Sequence, residues 1–337
     1  MNKIPIVISS DNRIFFTVGV VLTSLLENAK SDTFYDINVF YTSDVTDENI
    51  NKLKTSLNKY KNKSLNLFDM GDKFKDIPST KGYHVNYVSA YKMLVPSMFP
   101  QYDRLIYLDT DILVRGDLTE LYNFDIGDNY FASTPVFSNI LLRYEYICNL
   151  LNIPDLDFYV NAGVMLMNLK KIRDDKIDEK WISLLGSFEG SVDQHILNKV
   201  CYGKTTYLPL KYNTCLSELN IYKSDDVHSY YSQREVNEAL DNPIIFHWTG
   251  KQKPWLYRDT FLAQEWLKYF SKTNFYTVLN RSNCYILKYK NDFKNIRYHT
   301  LFSIIPLVKI VETHKKSYFY LFNIVKIYKI FKSERSN

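Results

Sequence analysis

Residues 104–114 read Arg-Leu-Ile-Tyr-Leu-Asp-Thr-Asp-Ile-Leu-Val, a short apolar run that leads directly into two aspartates. The run over 104–108 predicts a buried strand, and open α/β sheets bind their ligands at the ends of such strands. Residues i and i+2 of an extended chain share a face, so Asp109 and Asp111 are placed to converge on one cation.

Context separates this pair of aspartates from a chance occurrence. The chain contains 25 aspartates and two Asp-x-Asp pairs, about as many as random placement predicts, so the pair alone is better explained as a helix cap or a turn. The other pair, Asp155-Leu156-Asp157, follows Asn152-Ile153-Pro154, which predicts a loop. Only Asp109 and Asp111 follow a predicted strand, which makes them candidate metal ligands.

The chain on both sides of this strand alternates between strand-like and helix-like segments. Strands are predicted over 4–9, 35–41 and 65–68, with helices over 15–28 and 48–57 between them. This alternation indicates β-α-β units and a mostly parallel sheet, so the predicted fold class is α/β. The other predicted elements are helices over 89–99, 180–185, 193–200 and 260–270, and strands over 158–168, 205–210 and 243–248.

Length and composition exclude several classes of protein. A chain of 337 residues buries a core, and 46% hydrophobic with 23% charged residues excludes collagen-like and wholly disordered proteins. No apolar stretch reaches the roughly 18 residues of a transmembrane helix, and the first apolar run is too short for a signal peptide, so we expect a cytoplasmic protein. The four cysteines lack paired spacing, which favours free thiols over disulfides or a zinc site.

The positive charge of the chain is confined to its C-terminal part. Residues 271–337 carry thirteen Lys or Arg against three Asp or Glu, whereas residues 1–270 carry 29 against 34. We therefore expect a globular domain over 1–270 and a basic, aromatic region over 271–337 that meets an anionic partner.

A helix over 318–332 would place Lys326, Lys329 and Lys332 on one stripe beside a wide apolar face. Such a helix suits attachment to an anionic membrane surface. One alternative is a helix packed on the globular domain with solvated lysines. Contact with single-stranded nucleic acid is a further alternative that no other feature supports, so no nucleic acid is expected.

The nine residues His-Trp-Thr-Gly-Lys-Gln-Lys-Pro-Trp at 247–255 follow a second apolar run. A neutral imidazole at His247 is a metal ligand, Gly250 lets backbone approach a phosphate closely, and Lys253 offers a positive charge for it. A lone histidine beside an apolar strand is usually structural, but these neighbours favour a bound phosphate group.

These segments resemble the retaining family 8 glycosyltransferases, which include bacterial lipopolysaccharide galactosyl- and glucosyltransferases and glycogenin. The resemblance covers about residues 4–255 and rests on 6–12, 105–114, 160–171, Asp193-Gln194 and 247–255. It implies a GT-A fold, in which a Rossmann-like nucleotide-binding half is fused to an acceptor-binding half. It also implies a manganese ion, Mn²⁺, that holds the diphosphate of a UDP-sugar.

The resemblance implies roles for residues near the metal and the nucleotide. The metal ligands would be Asp109, Asp111 and His247, with Asp109 also next to the substrate. The uridine would be contacted by Asp11 with Asn12 beside it, and the diphosphate would be held by Gly250 and Lys253.

By the same resemblance, four residues would line the donor sugar: Asn161, Ala162, Asp193 and Gln194. Asp193 would bind sugar hydroxyls and Gln194 would stabilise the positive ring, which makes these two the candidate catalytic residues. The alternative role for Asp193 is an N-cap of a helix over 194–200. Retention requires either a covalent intermediate or attack from the leaving-group face, and the sequence favours neither.

The chain departs from the family pattern at two places. Tyr91-Lys92-Met93 stands where the family usually has Tyr-Arg-Leu. A guanidinium that donates two parallel hydrogen bonds is thus replaced by a single ammonium group, which weakens the expectation that Lys92 contacts the sugar. The N-terminal signature usually reads Asp-Asp-Asn, whereas Asp11-Asn12-Arg13 occupies that register here, so Arg13 would meet the nucleotide differently.

The chemistry of the expected ligands favours Mn²⁺. Two aspartates would repel a sugar diphosphate unless a divalent cation stood between them. A mixed carboxylate and imidazole set suits Mn²⁺ better than Mg²⁺, which prefers oxygen. The cation and Lys253 would stabilise charge on the departing UDP, and one such contact is typically worth about 3–4 kcal/mol.

The expected function is transfer of a hexose from UDP-glucose or UDP-galactose to a glycan acceptor. We expect a lipid-linked oligosaccharide of a bacterial surface polysaccharide, glycosylated at the inner face of the plasma membrane. One alternative is a sugar nucleotidyltransferase, but no Gly-rich basic loop follows Ser9-Ser10-Asp11. The other alternative is a catalytically silent glycan- or membrane-binding module. The presence of all three candidate metal ligands argues against it.

Overall fold

The computed structural model describes residues 2–71, 73–74, 76–77, 87–188 and 192–276, and the backbone of strands between 287 and 331. The chain divides into two compact units, Met1–Lys251 and Gln252–Asn337. The expected boundary at residue 270, which follows the change in composition, stays a prediction.

The strands of the first unit form one large sheet and one small sheet. The large sheet has the order β3-β2-β1-β4-β7-β6-β8, and the small sheet has the order β5-β10-β9. The strands are β1 (Asn2–Ser10), β2 (Thr33–Tyr41), β3 (Lys63–Asp69), β4 (Arg104–Leu108), β5 (Ile112–Val114), β6 (Phe131–Ser133), β7 (Val164–Asn168), β8 (Thr205–Tyr207), β9 (Thr214–Cys215) and β10 (Ile245–His247).

The first two helices, α1 (Phe15–Glu27) and α2 (Asp47–Leu57), connect parallel strands in the β-α-β pattern expected from the sequence. Further helices along the chain are α3 (Val95–Met98), α4 (Thr119–Tyr122), α5 (Phe137–Leu142), α6 (Tyr144–Leu151), α7 (Leu169–Asp174), α8 (Ile177–Ser183), α9 (Val192–Val200), α10 (Gln233–Asp241) and, in the second unit, α11 (Ala263–Phe270). Segments of 3₁₀ helix span Tyr87–Leu94, Leu210–Tyr212, Leu216–Glu218, Ile221–Lys223 and Asp225–Ser229.

The large sheet confirms the α/β fold class. Strands β3, β2, β1 and β4 are parallel neighbours, and β7 pairs antiparallel with β4. Helix α1 is buried over nearly its whole length because it packs against β1, β5 and α2. The apolar residues of α1 therefore form part of the hydrophobic core.

Several predicted elements in the first unit differ from the observed ones. The strands predicted over 205–210 and 243–248 are shorter, at Thr205–Tyr207 and Ile245–His247, and the helix predicted over 180–185 spans Ile177–Ser183. The predicted strand over 158–168 begins only at Val164, because the Asn198 side chain takes both backbone groups of Val160: its Oδ1 accepts from Val160 N–H and its Nδ2 donates to Val160 C=O. The predicted helix over 89–99 is a 3₁₀ segment followed by α3, with Pro96 in the first turn, where proline is tolerated.

The small sheet brings distant parts of the chain together. Strand β10 pairs antiparallel with β5, with His247 opposite Ile112, and parallel with β9, with His247 opposite Cys215. The residue after Asp111 therefore lies beside His247 in the sheet.

The C-terminal region of the second unit contains strands instead of the predicted helix. An antiparallel meander comprises β11 (Leu287–Tyr289), β12 (Lys294–Leu301), β13 (Ile305–Glu312), β14 (Lys316–Leu321) and β15 (Val325–Phe331). The predicted helix over 318–332 is wrong where β14 and β15 lie, because these segments are rich in the β-branched and aromatic residues that favour strands. Lys332 lies outside the described residues. Among the described helices, none is long and apolar enough to span a bilayer.

Candidate active site

The end of β4 carries the first two candidate ligands. Asp109 directly follows the strand, and its backbone N–H donates to the carbonyl of Gly163 at 2.7 Å, which continues the pairing with β7. Asp111 precedes β5, and its backbone carbonyl accepts from Trp248 N–H at 2.9 Å. The turn between β4 and β5 thus fixes both aspartates next to the end of β10.

His247 completes a group of three potential ligands. Its Nε2 lies 3.1 Å from Asp111 Oδ1 and 4.0 Å from Asp109 Oδ2. One ligand atom from each of the three residues lies within 4.8 Å of the others, which makes the group a candidate site for one divalent cation. Two carboxylates and one imidazole are a donor set that Mn²⁺ accepts.

Gly163 leaves the space that this group needs. A Cβ atom at this position would lie 2.3 Å from His247 Cε1 and 2.7 Å from Asp109 Oδ2. Any side chain would therefore displace two candidate ligands. Gly163 lies within the 160–171 segment, but no local pattern predicts that it is needed at the site.

The electrostatics of the site favour a cation. Burial raises the pKa of Asp109, and repulsion from Asp111 raises it further, while Lys92 and His247 act in the opposite direction. Burial alone would lower the pKa of His247, but its interactions with Asp111 outweigh burial and raise the pKa to about 10. A cation bound at Nε2 would take the place of this imidazole proton.

Lys92 lies in the interior and links Asp109 to Asp193. Its Nζ is 2.6 Å from Asp193 Oδ2 and 3.7 Å from Asp109 Oδ1, and it donates to the carbonyl of Ala162 at 2.7 Å. It also lies 4.4 Å from the ring centroid of Tyr107. Burial by itself would lower the pKa of Lys92, but the two aspartates raise it, so the side chain is cationic.

The position of Asp193 disagrees with the helix-cap alternative. Helix α9 begins at Val192, so Asp193 lies inside its first turn, and its carboxylate pairs with Lys92. A capping residue would precede the helix and accept from its free N–H groups. Asp193 is thus directed toward the candidate site.

Gln194 is held in one orientation by its neighbours. Its Oε1 accepts from the backbone N–H of Ala162 at 3.2 Å and from Asn161 Nδ2 at 3.4 Å, and its Nε2 donates to the Tyr159 hydroxyl at 3.1 Å. The four residues expected to line the sugar therefore lie together, and their roles stay predictions.

His195 supports this arrangement from behind. The Tyr159 hydroxyl, which accepts from Gln194, lies 2.8 Å from His195 Nδ1 and donates to it when the ring is neutral. Burial lowers the pKa of His195 to about 4, with a smaller opposing effect from Asp193. Sequence reasoning missed both Tyr159 and His195, because neither carries a motif.

Protonation of His195 should couple acidity to stability. The unfolded histidine has a pKa of about 6.5 and binds a proton more readily than the folded one. As the pH falls from 6.5 to 4, this histidine therefore lowers the free energy of unfolding by up to about 3 kcal/mol. We expect a His195→Asn variant to lack this contribution. Urea unfolding at pH 7 and pH 4 measures it, and parallel pH dependence in the variant and the wild type would contradict the assignment.

The predicted uridine contacts lie at the same edge of the sheet. Because β1 and β4 are parallel neighbours, Asp11 and Asp109 both follow strand ends at that edge. Asp11 accepts from the guanidinium of Arg13 at 2.6 Å and 2.9 Å, and Asn12 Oδ1 accepts from Asn49 Nδ2 at 2.7 Å. Arg13 therefore forms an ion pair with the Asp11 carboxylate, which was expected to contact the nucleotide.

The two predicted phosphate contacts belong to different units. Gly250, in the first unit, has a φ of +79°, a conformation that glycine adopts without strain. Lys253 lies in the second unit, and its contact with the diphosphate stays a prediction.

Asn213 is a further residue whose role was not predicted from the sequence. It precedes β9, its side chain is fully buried, and its Oδ1 lies 2.9 Å from His247 Nδ1. No local pattern marks it, because its importance depends on the pairing of β9 with β10.

A model of glycosyl transferase family 8 matches residues 5–259. This chain belongs to glycosyltransferase family 8. It is 30% identical over 289 residues to a lipopolysaccharide 1,2-glucosyltransferase of Escherichia coli, covering 82% of this chain and 78% of that protein. It is 24% identical over 262 residues to the lipopolysaccharide 1,3-galactosyltransferase of Salmonella typhimurium, covering 75% and 73%.

Solved structures of glycosyltransferases share the fold. The galactosyltransferase LgtC, in complex with donor and acceptor sugar analogues, has a TM-score of 0.66 at 22% identity, covering 80% of this chain and 96% of that chain. The bifunctional glycosyltransferase WbbM has a TM-score of 0.70 at 23% identity, covering 83% of this chain and 51% of that chain. This family 8 transferase has the GT-A fold, as the sequence analysis predicted.

Proposed function

We propose that this family 8 transferase moves a glucose or galactose from its UDP-sugar to a glycan acceptor with retention of configuration. The observation that carries the proposal is the convergence of Asp109, Asp111 and His247 at the edge of the sheet, with ligand atoms within 4.8 Å of one another. These residues would hold Mn²⁺, which neutralises the diphosphate and stabilises the charge of the leaving UDP.

The residues beside the metal group would bind and orient the sugar. Lys92 holds the Asp193 carboxylate at 2.6 Å, which leaves its other oxygen available to accept from sugar hydroxyls. Gln194 directs its Oε1 toward Ala162 and Asn161, so its amide dipole has a fixed direction before any sugar binds. A fixed dipole stabilises a developing positive ring without reorganisation during the reaction.

Hydrolysis of donor in the absence of acceptor tests the proposal. We expect slow release of UDP from UDP-glucose or UDP-galactose with Mn²⁺ and none with EDTA, measured across a panel of UDP-sugars. Absence of turnover with every donor, despite Mn²⁺ binding, would indicate a catalytically silent module. Formation of a UDP-sugar from UTP and a sugar 1-phosphate would instead indicate a nucleotidyltransferase.

The acceptor we propose is a lipid-linked oligosaccharide at the inner face of the plasma membrane. The lipopolysaccharide transferases to which the chain is similar support a glycan acceptor. The net positive charge of residues 271–337 supports contact with anionic lipid, whatever their secondary structure, because electrostatic attraction depends on charge density at the surface.

Charge reversal tests the membrane contact. We expect the double variant Lys326→Glu, Lys329→Glu to bind phosphatidylglycerol vesicles at least about tenfold more weakly than the wild type, since each lysine contributes about 1 kcal/mol. The matched control is Lys54→Glu, Lys61→Glu, which makes the same charge change in the first unit. Equal flotation of both double variants with the wild type would refute the membrane contact.

A further inference from the structure

The side chains around His247 form a continuous series of hydrogen-bonded amides. His247 Nδ1 lies 2.9 Å from Asn213 Oδ1, Asn213 Nδ2 lies 3.0 Å from Asn161 Oδ1, and Asn161 Nδ2 lies 3.4 Å from Gln194 Oε1. The series joins the candidate metal ligand to the candidate sugar site.

Two backbone N–H groups determine the direction of every hydrogen bond in this series. A backbone N–H only donates, so the atom of Asn161 that faces Gly163 N–H at 2.9 Å is its oxygen. The atom of Gln194 that faces Ala162 N–H at 3.2 Å is likewise its oxygen, which agrees with the NH₂ group of Asn161 donating to it. The amides of Asn161 and Gln194 therefore have one consistent orientation.

The orientation of Asn213 follows from that of Asn161. Since Asn161 Oδ1 accepts, Asn213 presents its NH₂ group to it, and the second hydrogen of that group donates to Thr134 Oγ1 at 3.0 Å. A flipped Asn213 would place its oxygen against Asn161 Oδ1. Such a flip is costly because Asn213 is fully buried and water cannot satisfy the unpaired groups.

The orientation of Asn213 then decides which nitrogen of His247 is free. An amide oxygen only accepts, so His247 Nδ1 carries hydrogen and donates to Asn213 Oδ1. The remaining nitrogen, Nε2, faces Asp111 and Asp109. Hydrogen bonding of the second ring nitrogen is what generally orients a metal-ligating histidine.

We infer that Asn213 is a positioning residue, oriented by the backbone N–H of Gly163 through Asn161, which keeps hydrogen on His247 Nδ1 and turns Nε2 toward the metal position. This inference rests on the metal site of the proposed function. It assigns Asn213 to ligand geometry and not to contact with the substrate.

Metal affinity without any sugar tests this role. We expect Asn213→Leu, which has a similar volume but no acceptor, to bind Mn²⁺ about 10- to 100-fold more weakly, measured from the electron paramagnetic resonance signal of free Mn²⁺. Asn213→Asp keeps an acceptor for Nδ1 but places its second oxygen against Asn161 Oδ1, so we expect its Mn²⁺ affinity to fall between those of Asn213→Leu and the wild type. The matched control is Thr134→Val, which removes a partner of Asn213 but leaves the contact with His247, and should retain wild-type affinity.

Nuclear magnetic resonance of the unaltered protein provides a test that does not depend on a variant folding. With ¹⁵N-labelled histidine and saturating Zn²⁺, which is diamagnetic and accepts nitrogen ligands, the His247 ring should show hydrogen on Nδ1 and none on Nε2. A ring without hydrogen on Nδ1, or wild-type affinity in Asn213→Leu while Asp111→Asn loses Mn²⁺, would overturn the inference alone. If the wild-type protein binds no divalent cation, both the proposed metal site and this inference are wrong.

Discussion

An Asp111→Asn variant is expected to lose about 10³-fold in Mn²⁺-dependent hydrolysis of its UDP-sugar, the loss typical of removing one preorganised electrostatic contact at a reacting charge. Asp111 is a candidate ligand, and its carboxylate is the main partner that raises the pKa of His247 to about 10. The amide that replaces it is neutral and a weaker ligand. UDP release at saturating Mn²⁺ measures the effect.

Stability distinguishes a lost ligand from a damaged fold. Without metal, Asp111→Asn removes repulsion from Asp109 but also removes the carboxylate that pairs with cationic His247 at 3.1 Å, so the two effects oppose each other and we expect only a small change in stability. Mn²⁺ at 100 times its Kd should stabilise the wild type by about 2.7 kcal/mol and leave the variant unchanged. The control is Asp157→Asn in the other Asp-x-Asp pair, where Asp155 Oδ1 accepts from Asp157 N–H in a local turn. If both variants lose activity equally, the ligand role of Asp111 is wrong.

A Lys92→Met variant is expected to lose about 3–5 kcal/mol of folding stability, because removing one partner of a buried ion pair leaves the other charge without compensation. Lys92 is 1% exposed, and Asp193 Oδ2 lies 2.6 Å from its Nζ. The carbonyl of Ala162 would also lose its donor. Urea unfolding in the absence of metal measures the change.

The control for Lys92 is an ion pair on the surface. Lys170→Met removes an i,i+4 partner of Asp174 that is exposed to solvent, and such pairs contribute little. We expect its unfolding curve to overlay that of the wild type. A Lys92→Met curve that also overlays the wild type would show that the charge of Lys92 is not needed to hold Asp193 inside the protein.

The two variants are expected to fail for different reasons. Asp111 repels Asp109 but pairs with His247, so its loss mainly removes a metal ligand and changes the stability of the metal-free protein little. Lys92 compensates the same group of carboxylates from within, so its loss costs stability. A cation site of this kind combines carboxylates that repel one another with a buried lysine that compensates their charge and so stabilises the fold.

Much of the fold was predictable because strands and helices follow local patterns. The strands on either side of α1 and α2, and the strand before Asp109, lie where hydrophobic periodicity placed them. The helix over 318–332 was wrong because apolar and cationic residues there fit a helical stripe as well as a strand. Strand propensity and pairing with neighbouring strands decided between the two.

The sequence by itself determined the α/β class, the aspartate pair at a strand end and the family to which the chain belongs, since each is written in residues close together along the chain. The tertiary structure alone decided which side chains support them. Lys92 reaches Asp193, and Asn213 reaches His247, across 101 and 34 positions of the chain. Such contacts depend on strand order and register, which are set by packing of the whole domain and leave no local pattern to read.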